Sequence, residues 1–427
     1  MLLNMTLRGE KRMAIQVNKQ FLDKGQIEKM IEWLAAFGQT EHGGVTRLLY
    51  SQAWLEAQHA LKNKMDEMKL QTYFDSVGNL FGRLPGTEKN DRTILTGSHI
   101  DTVVDGGKYD GAFGIIASFV AVLRLFETYG YPKKTIEVVS FCEEEGSRFP
   151  LTFWGSRNIC GHYTLDRVKG IMDAEGRSFL DAMKFAGFDP HAYTPPVRRD
   201  IERFIEMHIE QGMVLEKNQN QVGIVSHIVG QRRYTIQLKG ESNHAGTTPM
   251  QYRKDAVTAA SQLISFLTEK TNEVDTGLVA TVGRLQVKPN VPNVVAGQVE
   301  FSLDIRHHQE SVIEHYCGEI FAEFERVTNN LEIELFISQW MDVKPVQMDV
   351  QMGELARKIA EQKNIRYQSI ISGAGHDAQV FGEVCPTTML FVPSHQGISH
   401  SPSEFTKLDD LEVGIDLLTE VLYKLAY

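Results

Sequence analysis

Cysteine is scarce in this chain. The four present (Cys142, Cys160, Cys317, Cys385) form no CxxC pair and no spaced framework. A disulfide-stapled extracellular scaffold is thereby excluded, and the four read as reduced thiols of a cytosolic protein. Proline is also sparse, at 13 residues in 427, and there is no Pro-rich linker, internal repeat or low-complexity tract. An excess of basic charge is missing too: 44 Lys and Arg face 55 Asp and Glu, for a net charge of −11. That balance argues against nucleic acid or an anionic membrane surface as the main partner. It leaves room for a small anionic substrate, because one well-placed Arg sets the local field. No uninterrupted apolar run approaches a membrane span, and the opening MLLNMTLRGEKRM lacks the apolar stretch of a signal peptide. The expectation is a soluble, cytoplasmic protein.

What is present is an ordinary globular composition, 42% hydrophobic and 23% charged, in a chain long enough for two domains. Residues 18–40 and 50–69 carry helical apolar spacing, with Ile27, Met30, Ile31, Trp33 and Leu34 in the first. TYFDSV and LFGRL flank Gly78-Asn79 as a hairpin. Buried strands are predicted at 93–97 and 135–142, with a helix over 111–126 between them. Strand, helix and apolar strand in succession predict a mostly parallel α/β sheet. Near 213 the texture changes. Strands at 222–228, 232–239, 278–287 and 294–304, with helices near 254–269 and 309–328, predict an inserted α+β unit over 214–330. From 331 the α/β pattern returns with LEIELFI, a helix at 350–362, a strand at 387–393 and a helix at 408–425. Residues 1–213 and 331–427 are therefore expected to form one α/β domain.

Ligands in open α/β sheets come from loops at the carboxyl ends of strands. The first buried strand runs into Ser98-His99-Ile100-Asp101, and its loop ends at Asp110 before a helix; the second runs into Glu143-Glu144-Glu145-Gly146. His208 in EMHIEQG and His400 in GISHSP follow. Singly, each has a plain structural explanation: Asp110 could cap the helix, and the glutamates could form a solvated turn. Jointly, acids stacked after an apolar strand repel one another unless a cation neutralises them.

His99-x-Asp101, Asp110, Glu144-Glu145-Gly146, His208 and His400 together resemble the dinuclear metallopeptidase-like family that includes aminoacylases and carboxypeptidases. The resemblance spans nearly the whole chain and keeps the order of the motifs. It implies two divalent metal ions per subunit, bridged by Asp110, one held also by His99 and His208, the other by Glu145 and His400. It makes Asp101 the partner that orients His99 and Glu144 the general base. Imidazole and carboxylate donors without thiolate suit Zn²⁺, Mn²⁺, Co²⁺ or Ni²⁺, with Mn²⁺ or Zn²⁺ expected. Glu143 is expected to be structural.

A second set narrows the resemblance to the branch acting on N-carbamoyl and ureido compounds: Gln211 in HIEQG, His244 in GESNHAGTTPM, Asn293 in PNVPNVV and Arg306 in FSLDIRH. In that branch the Arg clamps a substrate carboxylate, Asn and Gln address the polar substrate, and the His reaches across a homodimer interface to the oxyanion. A planar guanidinium is the expected partner of a carboxylate. On the residues alone, Arg306 could be a surface charge, His244 an exposed turn residue and Asn293 a turn former. In SGAGHDA the glycine-rich backbone at Gly375 could approach a substrate, with His376-Asp377 in the same turn. The segments EEEGSRFPLTFWGSRN, HIVGQRRYTIQLKGESNHAGTTPM and WMDVKPVQM resemble one member of this branch, and that resemblance implies hydrolysis of a ureido-bearing carboxylate. The alternatives are hydrolysis of an N-carbamoyl-L-amino acid or a β-ureido acid, or a non-catalytic binding protein on the same fold. A Cys142 nucleophile is disfavoured, since adjacent carboxylates raise a thiol's pKa.

Overall fold

The computed structural model describes residues 24–88 and 92–427. The opening segment, and residues 18–23 of the first expected helix, lie outside them.

Four apolar segments, Thr135–Phe141, Thr93–His99, Ile201–Ile209 and Thr387–Val392, lie side by side in that order, all parallel. The first two and the last are buried along their whole length, as parallel strands covered on both faces must be. They form the centre of a nine-stranded mixed sheet. Leu80–Leu84 and Gln71–Phe74 extend it antiparallel at one side, as the expected hairpin. Val222–Ile228, Tyr367–Ser372 and Val346–Gln347 complete the other. The helices Ala112–Tyr129 and Leu408–Ala426 pack into one core with Lys24–Ala35 and Gln52–Glu67. By length and composition Ala112–Tyr129 is apolar enough to cross a membrane, but 72% of it is buried inside the protein.

A second, five-stranded antiparallel sheet runs Glu334–Val343, Gly230–Lys239, Gln298–His307, Val279–Thr281, with Leu285–Lys288 also on Gln298–His307. The helices Ala256–Val274 and Glu310–Asn330 cover one of its faces and build a separate core from residues 234 to 337. The chain thus has the α/β architecture with an added α+β layer expected from its pattern.

Two strands differ from that expectation. Val222–Ile228 belongs to the large sheet, between Thr387–Val392 and Tyr367–Ser372, rather than to the inserted unit. Its first four residues are all buried, the mark of an interior strand rather than an alternating one. Glu334–Val343, read as a return to the first domain, instead pairs with Gly230–Lys239 in the small sheet through nine residue pairs, with a bulge at Trp340. Its alternating exposure is the signature of a one-sided antiparallel sheet. The expected 278–287 strand also divides into Val279–Thr281 and Leu285–Lys288.

Candidate metal centre

The carboxyl ends of the four parallel strands meet at one place. His99 is the last residue of its strand and His208 the last but one of its own, while Glu143–Glu145 follow Phe141 and His400 lies in the loop after Val392. Between His99 and the helix at Ala112 the chain must turn back over the ring. It does so at Gly111, with φ 62°, where an added Cβ would stand 2.5 Å from His99 Cε1. Only glycine fits that turn. Gln211 (φ 56°) and His400 (φ 54°) are held in the same left-handed region without being glycine, a strained conformation typical of functional positions.

Asp110 sits at the centre. Its Oδ1 is buried and accepts no hydrogen bond, yet His208 Nε2 and His99 Nε2 lie 3.2 and 3.5 Å from it. His208 Nδ1 is 2.9 Å from the Ile209 carbonyl, so that nitrogen carries the proton. His208 Nε2 then presents a lone pair, which also accepts the Gly111 N–H at 3.2 Å. Two lone pairs facing each other in a buried space call for a cation between them. On the other side, His400 Nε2 is 3.2 Å from Asp110 Oδ2 and 3.4 Å from Glu145 Oε1. A tetrahedral ion with bonds of about 2.0–2.1 Å has ligand–ligand edges of about 3.3 Å, so these separations suit two ions. The two groups His99, Asp110, His208 and Asp110, Glu145, His400 share one carboxylate. The residues present therefore fit a dinuclear centre.

Without a metal ion, protonated imidazoles take the cation's part around the carboxylate. Burial alone would raise the Asp110 carboxyl, but His208, His400 and His99 outweigh it and hold it well below the usual carboxylate range. Asp110 and Glu145 push the His400 imidazole up to about 10. Burial, with Glu145 adjacent, drives the Glu144 carboxyl well above its ordinary value.

A supporting layer surrounds the cluster. His99 Nδ1 lies 3.3 Å from Asp101 Oδ1 and 3.1 Å from its carbonyl, which orients Nε2 toward Asp110. Glu404 Oε1 accepts the N–H groups of Tyr109 and Asp110 at 2.8 and 3.1 Å, and its Oε2 accepts the Ser399 hydroxyl at 2.7 Å. Glu206 accepts from Ser98 Oγ and from the Ala378 N–H. Glu143 organises its turn, accepting the N–H groups of Gly146 and Trp154.

A cavity of about 270 Å³ opens over the cluster, lined by Glu144, Gln211, Gly375, His376 and, from the small sheet, Gln231, Arg233 and Arg306. Larger hollows of 510 and 690 Å³ contain none of His99, Asp110, Glu145, His208 and His400, though the second also borders Arg233 and Arg306. Gln211 Nε2 donates to Asp110 Oδ2 at 2.9 Å, leaving its Oε1 buried without a donor. Two expected residues stand apart. His244 and Asn293 are exposed on neighbouring loops, joined through the Ala245 N–H to the Asn293 carbonyl at 3.0 Å, and neither lines the cavity.

Sequence reading passed over Glu206, Glu404, Gln231 and Arg233. Glu206 had a signal: it precedes His208 by two on one strand and so shares its face. Glu404 had none, because its role depends on a loop meeting Asp110 across 294 residues.

Residues 95–424 match the model of the peptidase family M20/M25/M40, and the chain belongs to that family of carbon–nitrogen hydrolases. It is 47% identical to allantoate amidohydrolase of Bacillus subtilis (strain 168) over 404 residues, which cover 95% of this chain and 98% of that one. It is likewise 47% identical to allantoate amidohydrolase of Escherichia coli (strain K12), over 94% and 98% of the two chains. Among solved structures, a hydantoinase/carbamoylase family amidase from Burkholderia multivorans superimposes with a TM-score of 0.89 at 30% identity, over 94% and 98% of the chains.

Proposed function

We propose that this chain hydrolyses a ureido C–N bond of allantoate, giving ureidoglycine, ammonia and carbon dioxide. One observation carries the reading: two ligand groups share Asp110 beside Glu144, in a cavity walled by Gln211 and Arg306. His99, Asp110 and His208 would hold one divalent ion, and Asp110, Glu145 and His400 a second, with Mn²⁺ or Zn²⁺ suited to these donors. Bound there, the ions supply Lewis-acid polarisation and lower the pKa of water toward neutrality. Glu144 accepts the proton of the attacking water and passes it to the leaving nitrogen. Arg306 holds the substrate carboxylate, and the unpartnered Gln211 Oε1 accepts a ureido N–H. His244 donates to the carbonyl oxygen as charge develops there, with Asn293 beside it on the substrate. Both lie outside the chain's own cavity, so the reading assigns them to the neighbouring subunit's site in a cytoplasmic homodimer.

A second reading, hydrolysis of an N-carbamoyl-L-amino acid or a β-ureido acid, is favoured by the likeness to a hydantoinase/carbamoylase family amidase. Ammonia release by metal-reconstituted protein, measured on allantoate and on a panel of N-carbamoyl amino acids, separates the two. Greater kcat/KM on any N-carbamoyl amino acid would overturn the first.

A further inference from the structure

One wall of the cavity carries the acid and imidazole cluster; the other is the open face of the small sheet. On that face Asp304 stands opposite Arg233, and Arg306 opposite Gln231, in the antiparallel register. Strand alternation brings all four side chains to one surface. Asp304 is their common acceptor. Its Oδ1 takes Arg306 Nε at 2.9 Å, and its Oδ2 takes Arg306 Nη2 at 3.1 Å, Arg233 Nε at 2.8 Å and Gln231 Nε2 at 2.8 Å. With four donors on two oxygens the carboxylate is saturated.

What each partner has left defines the surface offered to a ligand. Arg306 also donates Nη1 to the Gly373 carbonyl at 2.8 Å, so two of its five N–H groups remain, enough for one carboxylate. Arg233 gives Asp304 only its Nε, while its guanidinium lies over the Trp340 ring at 5.5 Å; both Nη groups remain as donors. Gln231 gives Asp304 its amide nitrogen and keeps its carbonyl oxygen as an acceptor. Two guanidinium groups against one carboxylate leave a single positive charge. One substrate carboxylate balances it, and a second would overload it. A neutral group pairing a carbonyl with an NH₂ matches the Arg233 donors and the Gln231 acceptor.

We propose that Gln231 and Arg233 form a subsite for the second, non-reacting ureido arm of the substrate, with Asp304 positioning both beside Arg306. The inference rests on the substrate reading above and says which residues separate a diureido carboxylate from a simple N-carbamoyl amino acid. The probes are allantoate and N-carbamoylglycine, which differ only by that second arm. In metal-reconstituted Arg233→Met and Gln231→Met proteins, the ratio of their kcat/KM values, allantoate over N-carbamoylglycine, should fall about tenfold to a hundredfold. Titration calorimetry in a Glu144→Gln background should show the same fall in the ratio of affinities without turnover. If Arg233→Met does not fold, Gln231→Met decides alone. A ratio unchanged in folded variants overturns the subsite and leaves the substrate reading standing. Wild-type protein that prefers N-carbamoylglycine overturns the substrate reading, and the subsite with it.

Discussion

The carboxylate of Asp101 grips the backbone of Glu144: its Oδ1 accepts the Glu144 N–H at 3.0 Å, while its Oδ2 takes the next N–H, of Glu145, at 3.1 Å. The same Oδ1 lies 3.3 Å from His99 Nδ1. One side chain therefore ties the end of one parallel strand to the acidic turn after its neighbour. Asp101→Asn keeps one acceptor but turns an NH₂ toward a backbone donor. Metal affinity, read by competition with a chelating dye, should drop about ten- to a hundredfold. Affinity equal to wild type would show that Asp101 does not hold the cluster.

Glu144 is the proposed base and not a ligand. Glu144→Gln should retain both metals by elemental analysis and lose about a hundred- to ten-thousandfold in kcat. An active variant with full metal content would remove Glu144 from the mechanism.

Arg306 is held in plane by Asp304 and the Gly373 carbonyl. Arg306→Lys keeps the charge and loses the fork, so the damage should fall mainly on KM. A carboxamide analogue, already poor for wild type, should lose far less on substitution. Equal losses for the two substrates would argue against a carboxylate clamp.

If His244 serves the neighbouring subunit, inactive Glu144→Gln and His244→Ala proteins should complement when mixed and allowed to exchange subunits. Each mixed dimer has one site with both defects and one with neither. Half the dimers are mixed at equal concentrations, so activity should approach about a quarter of wild type by two-fold symmetry. No recovery, in a sample shown to contain mixed dimers, would place His244 in its own chain's site.

Metal uptake should displace protons. Asp110 and Glu145 hold the His400 imidazole up to about 10, so without metal it is protonated at neutral pH and must lose that proton to bind. Affinity should therefore rise with pH through the neutral range, with proton release visible as a buffer-dependent enthalpy in titration calorimetry. Binding that ignored pH and buffer would contradict this.

How much of this was legible in the sequence depended on how local the signal was. His99, Asp110, Glu144 and Glu145 follow short apolar runs that alternate with a helix and so read as buried parallel strands, which placed them at the sheet's carboxyl edge. Val222–Ile228 and Glu334–Val343 were exchanged between sheets because a short β-rich run does not say which sheet it joins; pairing partners far away decide that. Gln231 and Arg233 looked like the polar half of an alternating strand. Their meaning comes from Asp304 on the facing strand and from the cavity beyond. His244 and Asn293 carry no sign of their destination, since a single chain leaves them in the open.

The order of the central strands has a consequence for how the protein is made. Ile201–Ile209 is flanked by Thr93–His99 on one side and, on the other, by Thr387–Val392, a strand synthesised nearly two hundred residues later. His400 follows that late strand, and Glu404, which holds Asp110 in place, comes four residues after it. A nascent chain emerging from the ribosome thus carries His99, Asp110, Glu145 and His208 long before either of these arrives. Half-made chains lack a complete second ligand group, so full loading with metal should fall at the close of translation, when non-local pairing has already made folding slow.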